Sequence, residues 1–188
     1  MKPKAIVIGS SAGGLNALKT IFSLLERNFS IPIIVVQHIS PHSDNYITTY
    51  LNKICKIRIK EANEKESIES GKIYFAPPNF HLLIEENYTF SLSTEERINF
   101  ARPSIDVLFE TAVYTYGTHL IGIILTGANN DGAKGIKLIN QYRGITIVQD
   151  PKTAEVETMP NCAIESTKID YILPLKEIGK LLNKLDKE

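Results

Sequence analysis

The sequence predicts an α/β protein: a doubly wound, mostly parallel sheet with helices on both faces and a small antiparallel β-hairpin. Three observations carry that prediction. The apolar runs Ala5–Ile8 and Ile31–Val36 are continuous rather than alternating, as in strands buried on both faces. Stretches with apolar residues at threes and fours alternate with such runs, the period of a helix that buries one face. The chain has 188 residues, 43% of them hydrophobic, which is the length of one domain (1–188) and enough to cover both faces of a sheet.

The elements follow in order. Lys4–Ile8 reads as the first strand. Leu15, Leu18, Ile21, Phe22 and Leu25 mark a helix from Gly14 to about Glu26. Ile31–Val36 is a second buried strand. Ser43 or Asp44 is placed to cap a helix through about Asn52, and Ile57–Glu61 alternates as a short strand. Gly71–Ala76 is a strand stopped by Pro77-Pro78-Asn79. His81–Ile84 and Tyr88–Leu92, joined by Glu85-Glu86-Asn87, form the hairpin. Ser104 starts a helix over Ile105–Tyr116. Then come a strand (Leu120–Leu125), a loop (Thr126–Gly132), a helix (Ala133–Tyr142) and a strand (Ile145–Gln149). A short helix (Pro160–Glu165), a strand (Ile169–Leu173) and an amphipathic helix (Leu175–Leu185) close the chain.

Bulk properties exclude some functions. The 21 basic and 21 acidic residues cancel, which gives no electrostatic basis for nucleic-acid binding. No apolar run reaches transmembrane length, so no membrane insertion is expected. Cys55 and Cys162 follow no metal or CxxC spacing and read as free thiols. Met1-Lys2-Pro3-Lys4 leads straight into the first strand with no room for a signal peptide, which makes a cytoplasmic location the expectation.

Chemistry is expected beyond the carboxyl ends of the strands. The first strand runs into Gly9-Ser10-Ser11-Ala12-Gly13-Gly14, a G-x-S-x-G turn with Ser11 at its centre. The second delivers Gln37 and His38, and the strand at Leu120–Leu125 delivers Asn129-Asn130-Asp131. A hydroxyl that attacks a carbonyl needs a base, for which histidine is suited near neutral pH. The base needs a carboxylate to fix its tautomer and stabilise the imidazolium. Ser11, His38 and Asp131 are the candidates for those roles. The backbone N–H groups of Ala12, Gly13 and Gly14 are the candidate oxyanion donors. Each residue also has a plain structural reading: a small turn residue, a histidine closing a strand, and a helix N-cap. His42 reads as a loop residue, His81 as a hairpin packing residue near the edge, and His119 as a linker residue on the opposite edge. No metal-ligand pattern emerges, and no metal or organic cofactor is required. A dinucleotide-binding turn is disfavoured. The second glycine of G-x-G-x-x-G is missing, and Gln37-His38 stand where an acid would bind ribose.

Ordered motifs then point to a family: Gly9–Gly14, Gln37-His38-Ile39-Ser40-Pro41, Arg102–Phe109, Ile124-Leu125-Thr126-Gly127, Asn130-Asp131-Gly132-Ala133 and Met159-Pro160. The chain resembles, essentially end to end, the catalytic domain of the CheB protein-glutamate methylesterases. The resemblance implies a serine hydrolase that removes methyl groups from glutamate γ-methyl esters on chemoreceptors, releasing methanol, and that also deamidates receptor glutamines. Ser11 falls on the family nucleophile, His38 on its base and Asp131 on the orienting acid. The implied partners are methylated cytoplasmic helices of chemoreceptors and a separate regulatory or receiver protein. Gln37, Arg102, Asn130 and Met159 are the substrate-side candidates.

Departures are also visible. The family commonly reads Gly-Met-Gly-Asn-Asp-Gly where this chain has Gly127-Ala128-Asn129-Asn130-Asp131-Gly132, and Asn161 stands where arginine often follows Met-Pro. Relatives normally carry an N-terminal receiver domain. This chain opens on the catalytic strand, and the expectation is a stand-alone member. The alternative reading is a catalytically silent signalling module that binds methylated receptor helices without turnover.

Overall fold

The computed structural model describes residues 2–39, 46–98 and 100–188. The helix caps expected at Ser43 or Asp44 and the loop residue His42 lie outside them. The strands are β1 (Ala5–Ser10), β2 (Ile33–Gln37), β3 (Arg58–Glu61), β4 (Lys72–Phe75), β5 (His81–Ile84), β6 (Phe90–Ser93), β7 (Leu120–Ile124), β8 (Ile145–Gln149) and β9 (Tyr171–Leu173). The helices are α1 (Gly14–Phe22), α2 (Tyr46–Ile54), α3 (Ile105–Tyr116), α4 (Ala133–Gln141), α5 (Thr158–Ser166) and α6 (Leu175–Lys187).

Seven strands form one sheet in the order β3-β4-β2-β1-β7-β8-β9, and every neighbouring pair is parallel. The pairing of β5 with β6 is antiparallel and separate. Side chains alternate between two buried layers. In β1, Ala5 and Val7 pack with α3, α4 and the hairpin, whereas Ile6 and Ile8 pack with α1 and α6. Close approach is secured by missing side chains. A Cβ on Gly135 of α4 would lie 2.5 Å from Phe109 Cβ of α3.

Element bounds shift from the sequence expectation for identifiable reasons. α1 stops at Phe22, because Leu24 and Leu25 donate to Ile21 O and Phe22 O in a tightened last turn. Leu25 is still fully buried, so the helical period outlasted the helix. β6 begins at Phe90 rather than Tyr88, because Tyr88 at φ 62° donates back to Glu85 O and forms the turn. β9 begins at Tyr171 rather than Ile169, because the Asp170 carboxylate takes the Thr146 N–H and hydroxyl in place of strand pairing.

The winding places the site. From β1 the chain builds outward through β2, then returns to lay β7 on the other side of β1. The crevice at the carboxyl ends of β1 and β7 is therefore a topological switch point, where such sheets bind ligands. Ser11 lies there, its N–H donating to Thr126 O at 3.0 Å. His119 enters β7 at its amino end, on the opposite edge, with Nδ1 3.0 Å from Lys2 O.

Candidate active site

Ser11 follows β1 and His38 follows β2. The register Ser10↔Gln37 makes them the next positions on adjacent strands. The serine turn is held by Gln37, whose Oε1 accepts from Ser10 Oγ (2.7 Å) and whose Nε2 donates to Ser11 O (2.8 Å) and His38 O (2.9 Å). Gln37 is buried and both of its amide hydrogens are used, so its side chain braces the turn. Gly13 takes the left-handed conformation at φ 77°, which glycine allows without strain. Gly14 must lack a side chain, since a Cβ would lie 1.9 Å from Gln37 Oε1. The Gly14 amide donates to Ser11 O at 2.9 Å and is therefore not an oxyanion donor. The Ala12 and Gly13 amides have no partner among the described residues and are the donors that remain.

Asp131 is the most connected group of the site. Its Oδ2 accepts from His38 Nε2 (2.9 Å) and the Ile105 N–H (2.7 Å), and its Oδ1 from Ser104 Oγ (2.9 Å) and the Asp106 N–H (3.1 Å). Its side chain does not cap α4, whose N-cap is Gly132; it reaches across to the amino end of α3, where the helix dipole favours a negative charge. Burial alone would raise its pKa. The His38 hydrogen bond and the two α3 amides outweigh that and hold the carboxyl below its usual value. The hydroxyl of Ser104, the N-cap residue of α3, accepts no α3 N–H; it donates to Asp131.

Two supports were not legible in the sequence. His81 is buried, its Nδ1 accepting from the Ser104 N–H (3.2 Å) and its Nε2 facing Glu96 O (3.0 Å). An acceptor role for Nδ1 puts the proton on Nε2, so this histidine is neutral and holds the start of α3. The second is Asn129, whose Nδ2 lies 3.2 Å from His38 Nδ1. Among the described residues no hydrogen bond joins Ser11 Oγ to His38, so of the two contacts expected for His38 the one to Asp131 is formed and the one to Ser11 is not.

The remaining substrate-side expectations fare differently. Arg102 donates from Nη1 to Thr94 O and Glu95 O and from Nη2 to Asn79 Oδ1, so it ties down its own loop rather than facing substrate. Met159 is 1% exposed and is a wall rather than a contact surface; an added Cβ on Gly127 would meet its Sδ at 1.9 Å and Ser11 Cβ at 2.9 Å. Asn130 is exposed at the edge, with its carbonyl accepting from the Ala133 N–H.

Asp106 lies behind Asp131, accepting from the Gly135 N–H at 2.8 Å. Burial, reinforced by the Asp131 charge and opposed by the Gly135 bond, pushes its carboxyl up to about 6. A folded pKa above the unfolded one means that the native state binds the extra proton. Stability from this group is therefore highest below the unfolded pKa and falls as pH rises to about 6, by up to about 3 kcal/mol. Asp106→Asn removes that slope. Urea unfolding at about pH 4 and about pH 7 will show a smaller loss of stability in the variant than in the wild type. Equal losses would contradict the burial of a costly charge at Asp106.

A parallel α/β sheet that gathers a turn serine, a histidine and a buried carboxylate at its switch point has the arrangement of a serine-type hydrolase. Similarity narrows the class. The model of the CheB methylesterase family matches residues 6–182, and the chain belongs to that family. A Leptospira interrogans (strain Fiocruz L1-130) protein, to which methylesterase and glutaminase activities are provisionally assigned, is 58% identical over 99% of this chain and 96% of its own length. The protein-glutamate methylesterase/protein-glutamine glutaminase of Thermotoga maritima is 36% identical over 97% of this chain, which spans 54% of that protein. The crystal structure of the Thermotoga maritima CheB methylesterase catalytic domain superposes with a TM-score of 0.94 at 36% identity, covering 98% of this chain and 100% of that one. No described helix is long and apolar enough to cross a membrane.

Proposed function

We propose that this chain is a protein-glutamate methylesterase with Ser11 as nucleophile, His38 as general base and acid, and Asp131 as the group that orients His38. The observation that carries the proposal is the 2.9 Å bond from His38 Nε2 to a buried carboxylate, one register position across the sheet from Ser11. That bond puts the ring proton on Nε2 and leaves the Nδ1 lone pair as the base.

Ser11 Oγ attacks the carbonyl carbon of a glutamate γ-methyl ester while His38 Nδ1 takes the hydroxyl proton. The Ala12 and Gly13 amides receive the oxyanion. Collapse expels methoxide, which leaves as methanol with the proton from His38, and the glutamyl group remains as an ester on Ser11. Water, deprotonated by His38, then hydrolyses that ester and frees the glutamate carboxylate. A glutamine side chain follows the same path with ammonia as the leaving group. In this reading the substrates are cytoplasmic chemoreceptor helices and the reaction is cytoplasmic; membership of the CheB methylesterase family supports both.

A silent binding module of the same fold is separated by labelling. A serine-directed phosphonate will modify the chain at Ser11, read by peptide mass spectrometry. Absence of any adduct at Ser11 favours the silent module.

A further inference from the structure

The nitrogen that the proposed reaction needs is already occupied. His38 Nε2 faces Asp131 Oδ2 at 2.9 Å, so Nδ1 is the ring's acceptor position. Asn129 Nδ2 lies 3.2 Å from that Nδ1. The carboxamide is not free to turn over, because its Oδ1 accepts the Asp131 N–H at 3.1 Å. With Oδ1 committed to the backbone, Nδ2–H must point at the ring. The three bonds require one and the same arrangement: proton on Nε2, lone pair on Nδ1, amide hydrogen donated to that lone pair.

We infer that Asn129 is a positioning residue that caps the proton-accepting nitrogen of His38 in the resting site and is displaced when Ser11 engages the base. The inference rests on the serine-hydrolase reading above. It also accounts for a serine that makes no hydrogen bond to His38 among the described residues. Asn129 sits in the same loop as Asp131, two residues before it, so one short segment both orients the base and restrains it. The restraint is specific to this side chain, since glycine stands at this position in the motif that the chain resembles.

The test compares the full chain with Asn129→Gly and Asn129→Ala, in the absence of receptor. Phosphonate modification of Ser11 is expected to run about three- to tenfold faster in both variants, the worth of one neutral hydrogen bond that no longer has to be exchanged. Methanol release from a methylated receptor fragment should gain in kcat by the same factor, with KM unchanged. The nitrogen resonance of His38 Nδ1 should move toward that of an unbonded imidazole nitrogen in both variants, a change that a merely structural role in the loop would not produce. Rates at or below wild type in both variants overturn the inference. A wild type that is not labelled at Ser11 at all overturns the nucleophile instead, and the Nδ1 resonance then decides: if it does not move, the cap is overturned too.

Discussion

Asp131→Asn is expected to cost roughly 10³–10⁴ in kcat for methanol release while the protein also loses about 2–4 kcal/mol of stability. Both losses come from one side chain. Its two oxygens receive a ring N–H, a hydroxyl and two backbone N–H groups, and it is 1% exposed. An amide can accept at one oxygen only, and its NH₂ turns donors toward donors on the other side. If the NH₂ faces Oδ2's partners, His38 Nε2 and the Ile105 amide lose their acceptor. If it faces Oδ1's partners, the Ser104 hydroxyl and the Asp106 amide do. In the first orientation His38 exchanges tautomer and presents the wrong nitrogen as base. Loss of the negative charge also removes the cap on α3. The wild type carries a second signature of the same group. Its depressed pKa gives stability that is present above the ordinary aspartate value and is lost as pH falls through the lower folded value. Asp131→Asn lacks that acid-side transition. Kinetics together with urea unfolding check both parts, and a variant that keeps wild-type kcat would remove Asp131 from the machinery.

The centre of the sheet was legible because Ala5–Ile8 and Ile31–Val36 are continuous apolar runs. Ile6 and Ile8 face one layer, Ala5 and Val7 the other, and no polar residue interrupts them. Ser11, His38 and Asp131 each follow the carboxyl end of a strand, β1, β2 and β7, which puts them at one edge of the sheet. What stayed hidden depends on side chains meeting across long stretches of chain. Gln37 looked like a substrate contact because it ends a strand beside His38, yet the site needs its amide to brace the turn. Arg102 was a candidate through the motif it belongs to; its partners are carbonyl oxygens and Asn79, which carry no charge signal. His81 holds the α3 amino end through a backbone N–H, and no residue pattern records such a bond. Asn129 stood out only as a departure from a motif. Its contact with the ring required the loop's actual path.

Ser11→Ala is the second large effect and the most direct test. The substitution removes one oxygen from a residue whose backbone is held by Thr126 O, the Gly14 N–H and Gln37 Nε2. The turn, His38 and Asp131 keep every described contact, so the fold and substrate binding should persist. Methanol release from methylated receptor fragments, followed with wild type and variant side by side, will fall by at least roughly ten-thousandfold, while the variant still binds the fragment. Methanol release at the wild-type rate from Ser11→Ala would contradict the assignment of Ser11 as the nucleophile.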